Sequence, residues 1–386
     1  MFDRFIRKRL FKELNKIKSG SLEVTFPEGD THLFKGNDAG FDADIQLKDW
    51  RVIANLSNKG DVGFASDYRD GYWDCSNLEA LLSFGLANEK ILHSYGHGNF
   101  VFKQLSKLLY LTQRNSLKGS KKNIQAHYDL GNEFYKLWLD PSMTYSSAIF
   151  ATEDQDITSA QHNKYDRLLS KIEQKNANIL EVGCGWGGFA ERAVLQGHTV
   201  KGITLSNEQA NFAQQRLKNS TAQIVIEDYR KQSGQYDYIV SIEMFEAVGM
   251  RYWPVYFKKM RQLLKPGGKL LIQTITIDDK SFKQYTRSAD MIRTFIFPGG
   301  MLRSEKALQQ QFKSLGLKCD NIYRFGYDYA RTLRYWLNKF DENYIKIRQI
   351  GFDDGFIKLW RFYLAACSAG FMANKINVIQ MEITHA

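Results

Sequence analysis

The stretch Asn178-Ile-Leu-Glu-Val-Gly-Cys-Gly-Trp-Gly-Gly-Phe-Ala-Glu191 limits what this chain can fold into more than any other. An apolar run (Ile179, Leu180, Val182) opens into a turn carrying Gly183, Gly185, Gly187 and Gly188, and a helix-prone segment follows from Phe189 to Leu195. Strand, glycine turn and helix in that order build a ligand site at the carboxyl end of the first strand of an open α/β sheet. The glycines tolerate positive φ and admit a ligand close to the backbone, and the helix start offers unpaired N–H groups. Taken alone, the pattern serves nicotinamide, flavin and S-adenosylmethionine equally, and in some chains it is no more than a tight turn.

The next strand candidate, His198 to Leu205, is followed by Ser206, a residue suited to cap a helix starting at Asn207-Glu208-Gln209. A nicotinamide site needs Asp or Glu at the end of that strand to hold the ribose diol. Thr204 and Leu205 stand there instead. A third strand, Ala222 to Val225, runs into Glu227-Asp228-Tyr229, which suits an adenine clamp of carboxylate and ring. Tyr236 to Ile242 and Lys269 to Ile275 supply two more strands, the second after a helix that closes on Leu264-Lys-Pro-Gly-Gly268. Strands and helices alternating at these lengths predict a doubly wound, Rossmann-like parallel sheet of the α/β class. The ordered set Glu-Val-Gly-Cys-Gly-x-Gly, Tyr-Asp-x-Ile and Leu-Lys-Pro-Gly-Gly-x-Leu resembles class I S-adenosylmethionine-dependent methyltransferases.

Further motifs narrow the resemblance. Ala126-His-Tyr-Asp-Leu-Gly-Asn132, Met143-Thr-Tyr-Ser-Ser-Ala-Ile149, Gly202-Ile-Thr-Leu-Ser206, Met244-Phe-Glu-Ala-Val-Gly249, Phe297-Pro-Gly-Gly300 and Ala366-Cys-Ser-Ala-Gly-Phe371 are similar, in the same order, to motifs of the cyclopropane-fatty-acyl-phospholipid synthase family. The resemblance covers nearly the whole chain. It implies methyl or methylene transfer from S-adenosylmethionine to the double bond of unsaturated acyl chains in phospholipids. The cofactor residues it implies, together with those the glycine turn and its neighbours suggest, are Tyr145, Ser146, Glu181, Gly183, Gly185, Gly187, Thr204, Leu205, Gln209, Asp228 and Tyr229. His127 and Tyr128 fall in the family's helix over the active site.

Such a transfer needs alignment in a dry pocket more than a strong base, because the sulfonium methyl is already electrophilic. The carbocation left on the chain then has to lose a proton. Aromatic faces can steady it, and Tyr145, Phe245, Tyr327 and Tyr329 are the candidates. By resemblance, Glu246 helps hold a bicarbonate ion that accepts the proton, with Tyr329 and the backbone at Ile275 as further contacts. Ser147 stands where cyclopropane-forming members commonly have Cys, Gln273 where they have His, and Ala247 where a His often follows the glutamate. These departures leave the fate of the cation open among cyclopropane, methylene-bridged and methyl-branched products. Cys367 matches a cysteine described as catalytic, but its apolar neighbours Leu364, Ala365 and Phe371 raise a thiol pKa and argue for packing.

At 386 residues the chain is long enough for about two domains. The reading places an α+β domain at 1–102, a basic linker at 103–123 and the methyltransferase domain at 124–386, with an apolar insertion near 278–314 to receive an acyl chain. In the first domain, Leu22–Phe26, Thr31–Phe34, Ala43–Leu47 and Arg51–Ala54 read as short strands, and Pro27-Glu-Gly-Asp30 as a hairpin turn. Residues 2–17 form a helical stripe of Phe2, Phe5, Ile6, Leu10, Phe11, Leu14 and Ile17 opposite Arg4, Arg7, Lys8, Arg9, Lys12 and Lys16. Such a helix either lies in a membrane interface or packs on its own domain.

A net charge of +11 favours polyanionic partners. No RNA-binding signature is present, so the expected partner is a phospholipid bilayer surface, with no nucleic acid; a homodimer stays open. Four scattered cysteines and seven histidines show no metal-ligand spacing, so no metal is expected. The start lacks an apolar signal region, and no stretch reaches the roughly eighteen apolar residues of a spanning helix. The expected location is cytoplasmic, peripheral to the inner face of the membrane. Two alternatives remain: a small-molecule or RNA methyltransferase, and a non-catalytic lipid-binding relative.

Overall fold

Seven strands build the sheet that the glycine turn anticipates. In the computed structural model, which describes residues 2–96, 120 and 130–386, they are β5 (Asn178–Val182), β6 (Thr199–Thr204), β7 (Gln223–Ile226), β8 (Tyr236–Ile242), β9 (Leu264–Ile277), β10 (Leu317–Arg324) and β11 (Ile376–His385). Their order across the sheet is β10-β11-β9-β8-β5-β6-β7. From β9 to β7 all neighbours run parallel, whereas β11 is antiparallel to both β9 and β10. Strand order reverses between β5 and β8, and at such a switch point the loops diverge to leave a crevice beyond the carboxyl ends of the strands. The helices Gly188–Leu195 and Asn207–Arg216 cross over between β5, β6 and β7. Ser206 caps the second through its side chain, as its position predicts. The core under this half of the sheet is Ile179, Val200, Ile224, Val240 and Leu271 packed on Phe189, Ala193, Ala210 and Ala213.

Chain order does not match compact units. One unit takes the described residues before Thr112 together with Gln284–Pro298 and Phe340–Lys375. The other takes those after Gln113 up to Lys283, then Gly299–Lys339 and Ile376–Ala386. The expected single block 124–386 is thus corrected: the helix Asp354–Met372 belongs to the first unit, where its Ser368 donates to Glu79 and its Lys358 pairs with Asp74. The expected acyl-chain insertion is divided as well. Its most apolar part packs inside the first unit, with Met291 and Ile296 buried and Phe297 edge-on to Tyr363 at 5.7 Å. The linker at 103–123 lies outside the described residues except for Ser120.

The four-stranded sheet of the first unit has the order β2-β1-β3-β4, with β1 (Ser19–Thr25), β2 (Thr31–Lys35), β3 (Asp38–Leu47) and β4 (Trp73–Asp74). Its β1–β2 hairpin turns at Gly29 as expected, with φ +94°. Arg51–Ala54, expected as a strand, opens the helix Arg51–Lys59. Val52, Ile53 and Leu56 follow helical spacing, and the Asp49 side chain accepts from the Arg51 N–H at its start. The helix Phe2–Leu14 packs on its own unit: Ile6, Leu10, Leu14 and the following Ile17 are buried, Phe11 lies 5.3 Å from Phe26, and Phe5 is exposed. Arg7 turns back to Asp30 and Glu28, leaving Arg4, Lys8 and Lys12 on the outer face. Among the described residues no helix is long and apolar enough to cross a membrane.

Candidate active site

A cleft of about 930 Å³, mouth included, opens at the carboxyl ends of β5, β6, β7 and β8. Of the residues expected to bind cofactor, Tyr145, Ser146, Glu181, Gly183, Gly185, Thr204, Leu205, Gln209 and Tyr229 line it. Two do not. Gly187 sits at the start of the helix Gly188–Leu195 with its hydrogen facing Ala213 and Leu217. Asp228 caps the turn Tyr229–Lys231 and grips Arg230 at 2.8 and 2.6 Å, so both its oxygens are engaged. The carboxylate that faces the cleft beside Tyr229 is Glu227. His127 and Tyr128 lie outside the described residues.

The glycine turn owes its shape to backbone angles that side chains disfavour. Gly183 and Gly185 have φ of +83° and +52°. A Cβ at Gly183 would fall 2.5 Å from Met244 Cγ, whereas one at Gly185 would meet nothing within 4 Å. The open space at Gly185 is the space a ligand backed onto the turn would take. Glu181, at the end of β5, keeps one buried oxygen without a partner, and burial pushes its carboxyl up to about 8. An unsatisfied carboxyl oxygen at a cleft wall suits a cationic ligand such as S-adenosylmethionine, as does the orphan hydroxyl of Tyr229 for a polar one. The residues present fit that cofactor.

The floor of the cleft holds a carboxylate that the sequence reading missed. Glu243 follows the last residue of β8 with φ +49°, an uncommon backbone state for a residue with a side chain. Its Oε1 accepts from the Ser147 N–H at 2.9 Å and from Gln273 Nε2 at 2.8 Å, and its Oε2 from the Tyr329 hydroxyl at 2.5 Å. Gln273 is itself oriented from behind, because its Oε1 accepts from Gln380 Nε2 at 2.9 Å, and Gln380 Oε1 accepts from Arg167 at 3.2 Å. Burial raises the Glu243 carboxyl, and Lys164 is the strongest opposing influence. That lysine is fully buried on the helix Ile157–Leu169, donates to Ser146 Oγ, and is pulled down to about 7 by desolvation.

Glu246 stands apart from the cleft lining. Its Oε1 accepts from the Ile275 N–H and from Thr274 Oγ1 at 2.8 Å, its Oε2 is buried without a partner, and burial lifts it to about 7. Tyr329, expected at the same ion as Glu246, and the two departures from the family pattern, Gln273 and Ser147, converge on Glu243. Ser147 does so through its main chain; its hydroxyl donates to the Ala148 carbonyl. Of the aromatic candidates, Tyr145 lines the cleft among Tyr135, Trp138 and Trp336, all within 5.5 Å, and Tyr329 stands behind Glu243. Phe245 is core, 4.9 Å from Phe257, and Tyr327 is 61% exposed. Cys367 belongs to the first unit and is not part of the lining; burial pushes its thiol well up, which removes it as a nucleophile.

Comparison with known proteins points to one family. The family described as mycolic acid cyclopropane synthetase matches residues 115–381. Tuberculostearic acid methyltransferase UfaA1 of Mycobacterium tuberculosis is 33% identical over 347 residues, covering 86% of this chain and 81% of that protein. Cyclopropane-fatty-acyl-phospholipid synthase of Escherichia coli K12 is 32% identical over 347 residues, 88% of this chain and 87% of that one. Among solved structures, mycolic acid cyclopropane synthase CmaA1 complexed with SAH and CTAB superposes with a TM-score of 0.64 at 31% identity, over 68% of this chain and 97% of that one. Coclaurine N-methyltransferase, at 16% identity and a TM-score of 0.60, shares the fold alone.

Proposed function

The chain belongs to the mycolic acid cyclopropane synthetase family of S-adenosylmethionine-dependent methyltransferases, and from that premise we propose that it alkylates the double bond of unsaturated acyl chains in membrane phospholipids, giving a cyclopropane or a methylene- or methyl-branched chain. The observation that carries the reading is a buried carboxylate, Glu243, in the same cleft as the glycine turn. The cofactor supplies an electrophilic methyl group. The chain's own residues present Tyr145 as an aromatic wall beside developing positive charge and hold the Glu243 carboxyl at the same cleft. The similarity to the Escherichia coli phospholipid enzyme over most of both chains supports the lipid substrate.

Incubating the protein with methyl-labelled cofactor and vesicles of mixed unsaturated phospholipids tests this directly. Mass analysis is expected to show labelled acyl chains heavier by one methylene. Label found only in soluble amines, or none in any lipid, would sink the lipid assignment.

Contact with the membrane is part of the proposal, and so is an anionic surface as the partner. The support is the +11 charge and the outer face of the first helix, where Arg4, Lys8 and Lys12 are exposed while Ile6, Leu10 and Leu14 are buried. Attachment by charge rather than by insertion follows. Lys8→Gln and Lys12→Gln should each weaken binding to anionic vesicles by about fivefold at low salt, fading as salt screens the surface. Phe5→Ser should change it less. Sedimentation showing the reverse ranking would restore an inserting helix.

A further inference from the structure

The resemblance implies a free bicarbonate ion at the reacting carbon, and the residues present do not fit one. Among the described residues, the donors that converge at this point of the cleft are the Ser147 N–H, the Gln273 amide and the Tyr329 hydroxyl, and all three are taken by Glu243. The Ile275 N–H and Thr274 hydroxyl are taken by Glu246. A bicarbonate ion here would be an anion set against two buried carboxyl groups, with Lys164 as the cation facing Glu243. Burying an anion without donors or counter-charge is strongly unfavourable.

We infer that Glu243 itself is the proton acceptor of the reaction, a carboxylate built into the chain where a diffusible anion would otherwise be needed. The inference deepens the proposed function and rests on it. Glu243 lines the cleft, and its left-handed backbone turns it off the end of β8 at the sheet's switch point. Ser147, Gln273 and Tyr329 are positioning residues: three donors on two oxygens keep the group an acceptor and fix its direction. Gln273 can hold its N–H toward Glu243 because Gln380 fixes its carbonyl end.

The step balances without further reagents. The alkene π pair forms the new carbon–carbon bond as the carbon–sulfur bond breaks with its pair to sulfur. Glu243 then takes a proton from the transferred carbon. The C–H pair closes the three-membered ring or, after a hydride shift that moves the cation onto the methyl-bearing carbon, becomes the second bond of a methylene branch. Neither outcome needs an oxidant or a reductant.

The test has a binding arm and a turnover arm. Carbon-13 bicarbonate is titrated into the full-length protein with S-adenosylhomocysteine present, using parent and Glu243→Ala. The parent should show no saturable binding, and Glu243→Ala should gain it, because three donors lose their acceptor. In decarbonated buffer, added bicarbonate should change parent turnover less than twofold. Glu243→Gln should lose a factor of about 100 to 10,000 while binding cofactor as before, and Glu243→Ala should be partly rescued by bicarbonate or formate. Saturable binding to the parent, a parent that needs bicarbonate, or Glu243→Gln at parental rate would each overturn the inference. If the parent alkylates no lipid, the proposed function fails, and the binding arm still decides whether Glu243 fills the anion site.

Discussion

Gly185→Val is expected to lose cofactor affinity while the protein stays folded, and Gly183→Val to lose the fold's stability. The two positions differ in what a side chain would meet. At Gly185, φ is +52° and a Cβ points into open cleft. The left-handed backbone costs about 1–2 kcal/mol, and at about 2–4 °C per kcal/mol the melting temperature falls by only about 2–8 °C. The valine methyls then occupy space that the ligand needs. Forced overlap of this kind costs about 1–3 kcal/mol, so the dissociation constant rises by about 5- to 150-fold. At Gly183 the same backbone strain combines with a Cβ at 2.5 and 2.7 Å from Met244 side-chain carbons. Strain and overlap together amount to about 2–5 kcal/mol, or about 5–20 °C in melting temperature. Calorimetry with S-adenosylhomocysteine and a thermal scan on both variants separate the effects. Unchanged affinity in Gly185→Val would remove the cleft as the cofactor site.

That contrast marks how far the sequence could be read. Local rules located the strand, the turn, the Ser206 cap and the parallel order, because each depends on neighbours a few residues away. They misread Arg51–Ala54, where apolar Val52 and Ile53 fit a short strand until Leu56 is counted on the same helical face. The return of Asp354–Met372 to the first unit depends on partners such as Glu79, 289 residues away in sequence, and no local pattern carries that. The same holds at the floor of the cleft. Glu243 and Glu246 are separated by Met244 and Phe245, and resemblance drew attention to the second. Which of the two faces the cleft is set by a positive φ at Glu243 and by donors 96, 30 and 86 residues away. One signal was legible: a carboxylate just past the end of the strand beside the glycine turn's own. Asp228 failed for the opposite reason, since its neighbour Arg230 was in plain view as a competing partner.

Lys164→Met should shift the pH dependence of turnover rather than abolish activity at every pH. The buried amine faces Glu243, Asp140 and Glu181, and Glu243 and Glu181 both have carboxyls raised by burial. Methionine keeps most of the volume and removes the charge that opposes those shifts. The Glu243 carboxyl then rises further, and only its ionised form can accept a proton. Turnover near neutral pH therefore falls and returns as the pH is raised, because a larger share of Glu243 is protonated at neutral pH in the variant than in the parent. Stability moves the other way. A carboxyl whose pKa is higher in the folded than in the unfolded protein binds more protons when folded, so its contribution is present at low pH and lost as pH rises through the folded value. The variant should therefore melt lower at pH 9 than at pH 6, by a wider margin than the parent does. A pH–rate profile with the parental acid limb and a uniform loss would show that Lys164 acts through Ser146 and the cofactor, with no part in keeping Glu243 ionised.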